Sequence, residues 1–170
     1  LTFANGRFEL HKEFSNGVLD PAESLYQLFQ KHNKEIIWGS TKNSWGSVDG
    51  EGTDRRLTPR SEKQGLASVG LIQELIDDFF MKDGLSIEES PLYSEDGFAP
   101  LGEKEDVVFK MYHNREPRFY QAVTFQGRRW QVSNNQVFFH KGSGNDNSKG
   151  DNPYTGYLLY KRMNKTLYNQ

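Results

Sequence analysis

The first clear periodicity in the chain is Leu25, Leu28 and Phe29, spaced three and four apart, which gathers apolar side chains on one face of a helix. Strong start signals precede it. Asp20 can accept a bond from a free helix N–H, Pro21 suits the first helical position, and Glu23 stands where it can bond back. This predicts a helix over 21–32, ended by His32-Asn33-Lys34, and then a strand from Glu35 to Gly39. Leu71, Leu75, Ile76 and Phe79 again keep helical spacing, predicting a helix over 70–79 and a turn at Met81–Gly84. Further on the pattern turns β-like. Phe119–Phe125, Arg128–Val132 and Gln136–His140 read as three strands of a small antiparallel meander over 118–140, with turns at Gln126-Gly127 and Ser133–Asn135. Thr155–Lys161 reads as a last strand.

Between these segments the chain is polar. Residues 39–70, 85–106 and 142–153 carry few apolar side chains and many turn formers, so they read as long loops. The expectation is an α+β, loop-rich frame with few short helices, a single domain or a fragment of a larger one over 1–170, and no internal repeats.

Composition sharpens this picture. Only 35% of the 170 residues are hydrophobic, yet 14% are aromatic. Rings among polar loops suit flat ligands and sugars, because the ring supplies apolar area and its neighbours supply hydrogen bonds. Aromatic core volume in an aliphatic-poor chain is the alternative. The net charge of −2 provides no basic field for nucleic acid. Cysteine is absent, which excludes disulfides, thiolate metal sites and a cysteine nucleophile. No apolar run approaches the ~20 residues that span a membrane as a helix.

Catalytic and metal motifs are weak. His11, His32, His113 and His140 lack zinc-site spacing. Residues 49–54 and 146–151 offer oxygen ligands but lack the closing glutamate of a calcium loop. No serine lies in a nucleophile elbow, and 142–150 lacks the end of a phosphate loop. The 23 acidic residues allow many invented glycosidase pairs, so none counts as a signal. No catalytic residue, metal ligand or cofactor is assigned.

Two segments read as devices for fixing backbone. Asp77-Asp78-Phe79-Phe80-Met81-Lys82-Asp83-Gly84 is an acidic, aromatic corner, and Asn114-Arg115-Glu116-Pro117-Arg118 is a knot of two guanidiniums about a proline. Arginine forks can satisfy several acceptors at once, so Arg115 and Arg118 are expected to pin loops, with the corner as their partner. Together with KEIIW upstream and TGYLLYKRMNK downstream, these pieces, in this order over about 20–165, resemble the SusD/RagB family of outer-membrane nutrient-binding lipoproteins.

The resemblance implies the C-terminal region of a longer, mostly helical protein built on tetratricopeptide-like helix pairs. It implies a non-catalytic protein that binds a glycan, or another polymeric nutrient, on the extracellular face of the outer membrane. It also implies a SusC-like TonB-dependent transporter as partner, and a membrane attachment made only through a lipid anchor that this sequence lacks. A carbohydrate-active hydrolase or its accessory module, and a pure interaction segment docking on the transporter or on further helices, stay open as alternatives.

The family has no invariant ligand motif, so candidate contacts come from chemistry. Trp45 lies in a glycine-rich polar stretch with Asn43, Asp49 and Arg55 near it in sequence, a ring to stack on a sugar and polar groups for its hydroxyls. Tyr93 and Tyr154 are further loop rings. Trp38 and Trp130 fall on expected strands and are assigned to the core.

Overall fold

A computed structural model describes residues 8–39, 53–146, 153–161 and 163. The described residues form an α+β arrangement of short helices and three separate two-stranded antiparallel sheets. A small hairpin comes first, β1 (Phe14–Ser15) against β2 (Val18–Leu19), turning at Asn16 and Gly17. Helix α1 follows at Pro21–Leu28. The Asp20 carboxylate accepts from the Glu23 amide at 2.9 Å, as the start signals require. The helix closes one turn earlier than expected. Phe29 is its C-cap, and the Asn33 side-chain amide donates to the Leu28 carbonyl.

Asn33 also explains why the expected strand at 35–39 does not form. Its side-chain oxygen accepts from the Glu35 amide and its carbonyl from the Ile36 amide, which bends the chain away from extension. Trp38, assigned to the core, is instead 85% exposed.

The stretch 53–70, expected to be loop, starts with helix α2 (Thr53–Leu57) and returns along it. The Leu66 amide bonds the Arg55 carbonyl, Ser68 bonds Arg56, and Ala67 bonds Thr58. Helix α3 (Gln73–Asp77) is shorter than the 70–79 expected, and Ile76 is its one buried side chain. The region 85–106, also read as loop, contributes a hairpin. Strand β3 (Phe98–Leu101) pairs with β4 (Asp106–Phe109), and Gly102 and Glu105 take positive φ in the connection. A 3-10 turn over Lys110–Tyr112 leads into the knot.

The expected strand over 119–125 is mostly helix: α4 spans Pro117–Ala122, and only Val123–Thr124 form β5. Pro117 stands at the helix start with Glu116 extended before it, a start signal that outweighs the aromatic content of the segment. The meander over 118–140 is therefore replaced. β5 pairs with β6 (Leu158–Leu159), not with its sequence neighbour. Past the turn at Gly127, the backbones of 127–130 and 135–137 bond each other through Gly127, Val137 and Trp130 amides, around a single Arg129–Gln136 bridge.

Two apolar clusters hold this together. The first gathers Leu71, Ile76, Val108, Met111, Tyr112, Phe119, Val123, Phe125 and Tyr157. It is rich in rings: Tyr112 stacks on Phe125 at 4.4 Å between centroids and meets Tyr157 edge-on. The second gathers Leu57, Trp130, Val137, Tyr160 and Met163, so Trp130 does fill a core position. Leu159 packs against both clusters, which makes β6 the seam between them.

The corner and the knot do meet, mainly through backbone. Met81 and Arg115 form a bridge, the Lys82 amide bonds the Asn114 carbonyl, and the Glu116 amide bonds the Phe80 carbonyl. Arg115 is the pin: 2% exposed, it donates to the Ile76 carbonyl and lies over the Phe119 ring. Arg118 is not. Its side chain is 57% exposed and forks onto the Glu116 carboxylate at 2.7 and 2.8 Å.

Candidate ligand-binding surface

The candidate contacts Asn43, Trp45 and Asp49 lie outside the described residues. Arg55 and Tyr154 lie at two ends of one strip of backbone. Arg55 is half-buried on α2, where its Nε donates to the Gln64 carbonyl at 3.1 Å and its carbonyl accepts from Leu66. The strip then runs from Ser68 to Gly70, which pairs with Leu158 and lies against Pro153 and Thr155. Tyr154, 90% exposed, is in that turn. Tyr93 has its contacts elsewhere. Its ring packs on the first core cluster 5.8 Å from the Arg115 guanidinium, and its hydroxyl donates to the Glu95 carboxylate at 2.6 Å. Burial pushes this phenol above its ordinary range, and the hydrogen bond to Glu95 adds to that.

The loop after Phe138 is pinned over its described part. Asn145 is 1% exposed, and its side chain bonds the Ser61 amide, the Ser61 hydroxyl and the Phe138 carbonyl. This fastens 142–146 to the segment following α2, where only a flexible loop was expected. Among the described residues no three His, Asp or Glu side chains cluster to hold a metal. Residues 49–54 and 146–151 fall largely outside them.

The structure also shows a concavity that the sequence reading missed. A cleft of about 260 Å³ opens between α1, α4 and the end of β6. Leu25, Tyr26 and Phe29 line one side, Arg118 and Gln121 another, and Gln131, Tyr160 and Lys161 a third. The Lys161 ammonium sits 4.2 Å from the centre of the Phe29 ring. Beneath, the Arg128 guanidinium lies 3.6 Å from the centre of the Tyr160 ring and donates to the Val123 carbonyl. Burial pulls this guanidinium below its ordinary value, and the Tyr160 phenol beside it opposes that shift. Gln131 donates from its amide nitrogen to the Met163 carbonyl at 3.0 Å. Its amide oxygen is buried and has no partner among the described residues. These residues come from four distant stretches of the chain, so no local motif could have flagged them.

A match to the model of the SusD family covers residues 34–170. The chain belongs to the SusD family. Solved structures agree on the fold of this SusD-family chain. A SusD-like protein from Bacteroides fragilis, known as BF3747, superposes with a TM-score of 0.62 at 24% identity, over 96% of this chain and 31% of its own. The selenomethionine form of BT4246 does so with a TM-score of 0.62 at 20% identity, over 85% of this chain and 27% of its own. At these identities the likeness speaks for the fold alone. The chain thus spans about a third or less of the length of these two structures. No curated protein sequence matches it.

Proposed function

We propose that this chain is part of a non-catalytic binding protein that captures an extracellular glycan at the outer membrane and passes it to a SusC-like TonB-dependent transporter. Membership of the SusD family, matched over residues 34–170, carries the reading. In the whole protein a lipid anchor would hold it to the outer face of the membrane. Trp45, Asn43, Asp49, Arg55, Tyr93 and Tyr154 are the proposed contacts. Tyr154 supports this through its almost full exposure in a turn, where a ring is open to stack on a sugar. The exposed Trp38 becomes a further stacking candidate, since packing does not explain its position.

One observation favours docking as a second role. Phe14, Val18 and Leu19 of the first hairpin and the adjacent Leu10 all stand between 46% and 70% exposed. Apolar side chains grouped on so small a hairpin suit contact with other polypeptide.

A glycan array probed with the intact protein tests the main reading. Binding to one class of glycan is the expected result, with no turnover of the bound sugar. An array blank for every glycan, or hydrolysis of a chromogenic glycoside abolished by one Asp or Glu substitution, would overturn it.

A further inference from the structure

We propose that the cleft between α1, α4 and β6 binds a carboxylated sugar residue, of the uronic acid class. The inference rests on the glycan reading above and adds a site and a ligand charge to it.

Charge in the cleft favours an anionic ligand. Among the described residues no carboxylate lines the cleft, whereas two cations do, Arg118 and Lys161. Arg118 is already neutralised by its fork on Glu116. Lys161 is exposed at the mouth and forms no salt bridge among the described residues. An ammonium held over a ring and lacking an anion offers a ligand carboxylate a charge-assisted bond.

The lining suits a sugar. Phe29 and Tyr26 provide apolar ring area for the C–H face of a sugar. Gln131 adds an amide to the lining, oriented by the bond from its nitrogen to the Met163 carbonyl. Gln121 adds a second amide at the rim. At about 260 Å³ the cleft falls just below the roughly 300–1,000 Å³ of drug-sized ligand sites, which suits a single sugar residue.

The test is a titration of the intact protein, followed by NMR shifts, with D-glucuronate, D-galacturonate, D-glucose and acetate as separate probes. Lys161→Met and Gln121→Ala are compared with the parent, and melting curves confirm that both variants fold. The expected result is that a uronate shifts resonances of the cleft and binds at least about tenfold more tightly than glucose or acetate, with Lys161→Met removing about tenfold of that affinity. Gln121→Ala should weaken the uronate severalfold. Glucose binding as tightly as either uronate would remove the role of charge. Acetate doing so would reduce the cleft to a simple anion site. Uronate affinity unchanged in Lys161→Met would also overturn the proposal. If Lys161→Met leaves uronate binding intact while neutral polysaccharides still bind elsewhere, the cleft inference fails and the glycan reading survives. An array blank for all glycans sinks both.

Discussion

Arg115 holds a charge where water scarcely reaches, and its neighbours show how. The guanidinium donates to the Ile76 carbonyl, touches the Met81 sulfur and lies 5.0 Å from the centre of the Phe119 ring. Burial pulls its pKa down, and Tyr93, Asp77 and Glu116 oppose that shift; an arginine stays charged regardless. Arg115→Ala leaves an unpaired carbonyl and a void, and should cost about 2–4 kcal/mol in urea unfolding. Arg118→Ala breaks only a surface ion pair and should cost under about 1 kcal/mol. The reverse ranking would show that the pin has been misassigned. A neighbouring carboxylate sets a pH dependence. Asp83 accepts from the Ser90 hydroxyl at 2.7 Å and from the Leu85 amide, which hold its pKa below the ordinary 3.8. A lowered folded pKa gives stability that is present above 3.8 and lost as pH falls through the lower folded value. Asp83→Asn should therefore flatten the acid limb of a melting-temperature profile below pH 3.8, while the parent keeps a slope there.

At the scale of elements, the turn of chain after α2 shows how close backbones come. A Cβ on Gly65 would lie 1.8 Å from the Pro59 carbonyl oxygen, a backbone atom with no rotamer to move. Gly65→Ala should destabilise by about 2 kcal/mol or more, seen as a fall in melting temperature. A variant that melts with the parent would mean that this return strip is loosely held. The same elements show what could be read from sequence. The start of α1 was legible because its cap chemistry is local, within Asp20 to Glu23. The turns at Gly84 and Gly127 were legible because each glycine takes positive φ. The β3–β4 hairpin was hidden by Pro100 and Gly102, which read as loop until Phe98 finds Phe109 across the ladder. The partner of β5 was also hidden, since Val123 pairs with Leu159 across a long separation while the nearer candidate strand pairs elsewhere. The cleft was illegible for the same reason: Phe29, Gln121, Gln131 and Lys161 converge only after α1 docks on α4.

Across the whole molecule the rings divide by environment. Tyr112, Phe119, Phe125 and Trp130 fill the two core clusters, with Leu159 between them. Tyr154 and Trp38 stand almost wholly in solvent. Aromatic content therefore does two jobs in this chain: it supplies a core where aliphatics are few, and it leaves rings open at the surface. Trp45 lies outside the described residues, and its proposed role as a stacking ring rests on its chemical surroundings in the sequence. Its sequence neighbours are polar or glycine, so burial has few apolar partners to offer it within that stretch, while Asn43, Asp49 and Arg55 provide groups that bond hydroxyls. In the intact protein, Trp45→Ala should weaken binding of the glycan found on the array by about 1–2 kcal/mol, with little change in melting temperature. Isothermal titration beside a thermal melt separates the possibilities. Unchanged affinity would remove Trp45 from the site. A large fall in melting temperature would make it a structural anchor, and the sugar would then have to stack on rings such as Tyr154 or Trp38, which the same pair of measurements on Tyr154→Ala and Trp38→Ala would show.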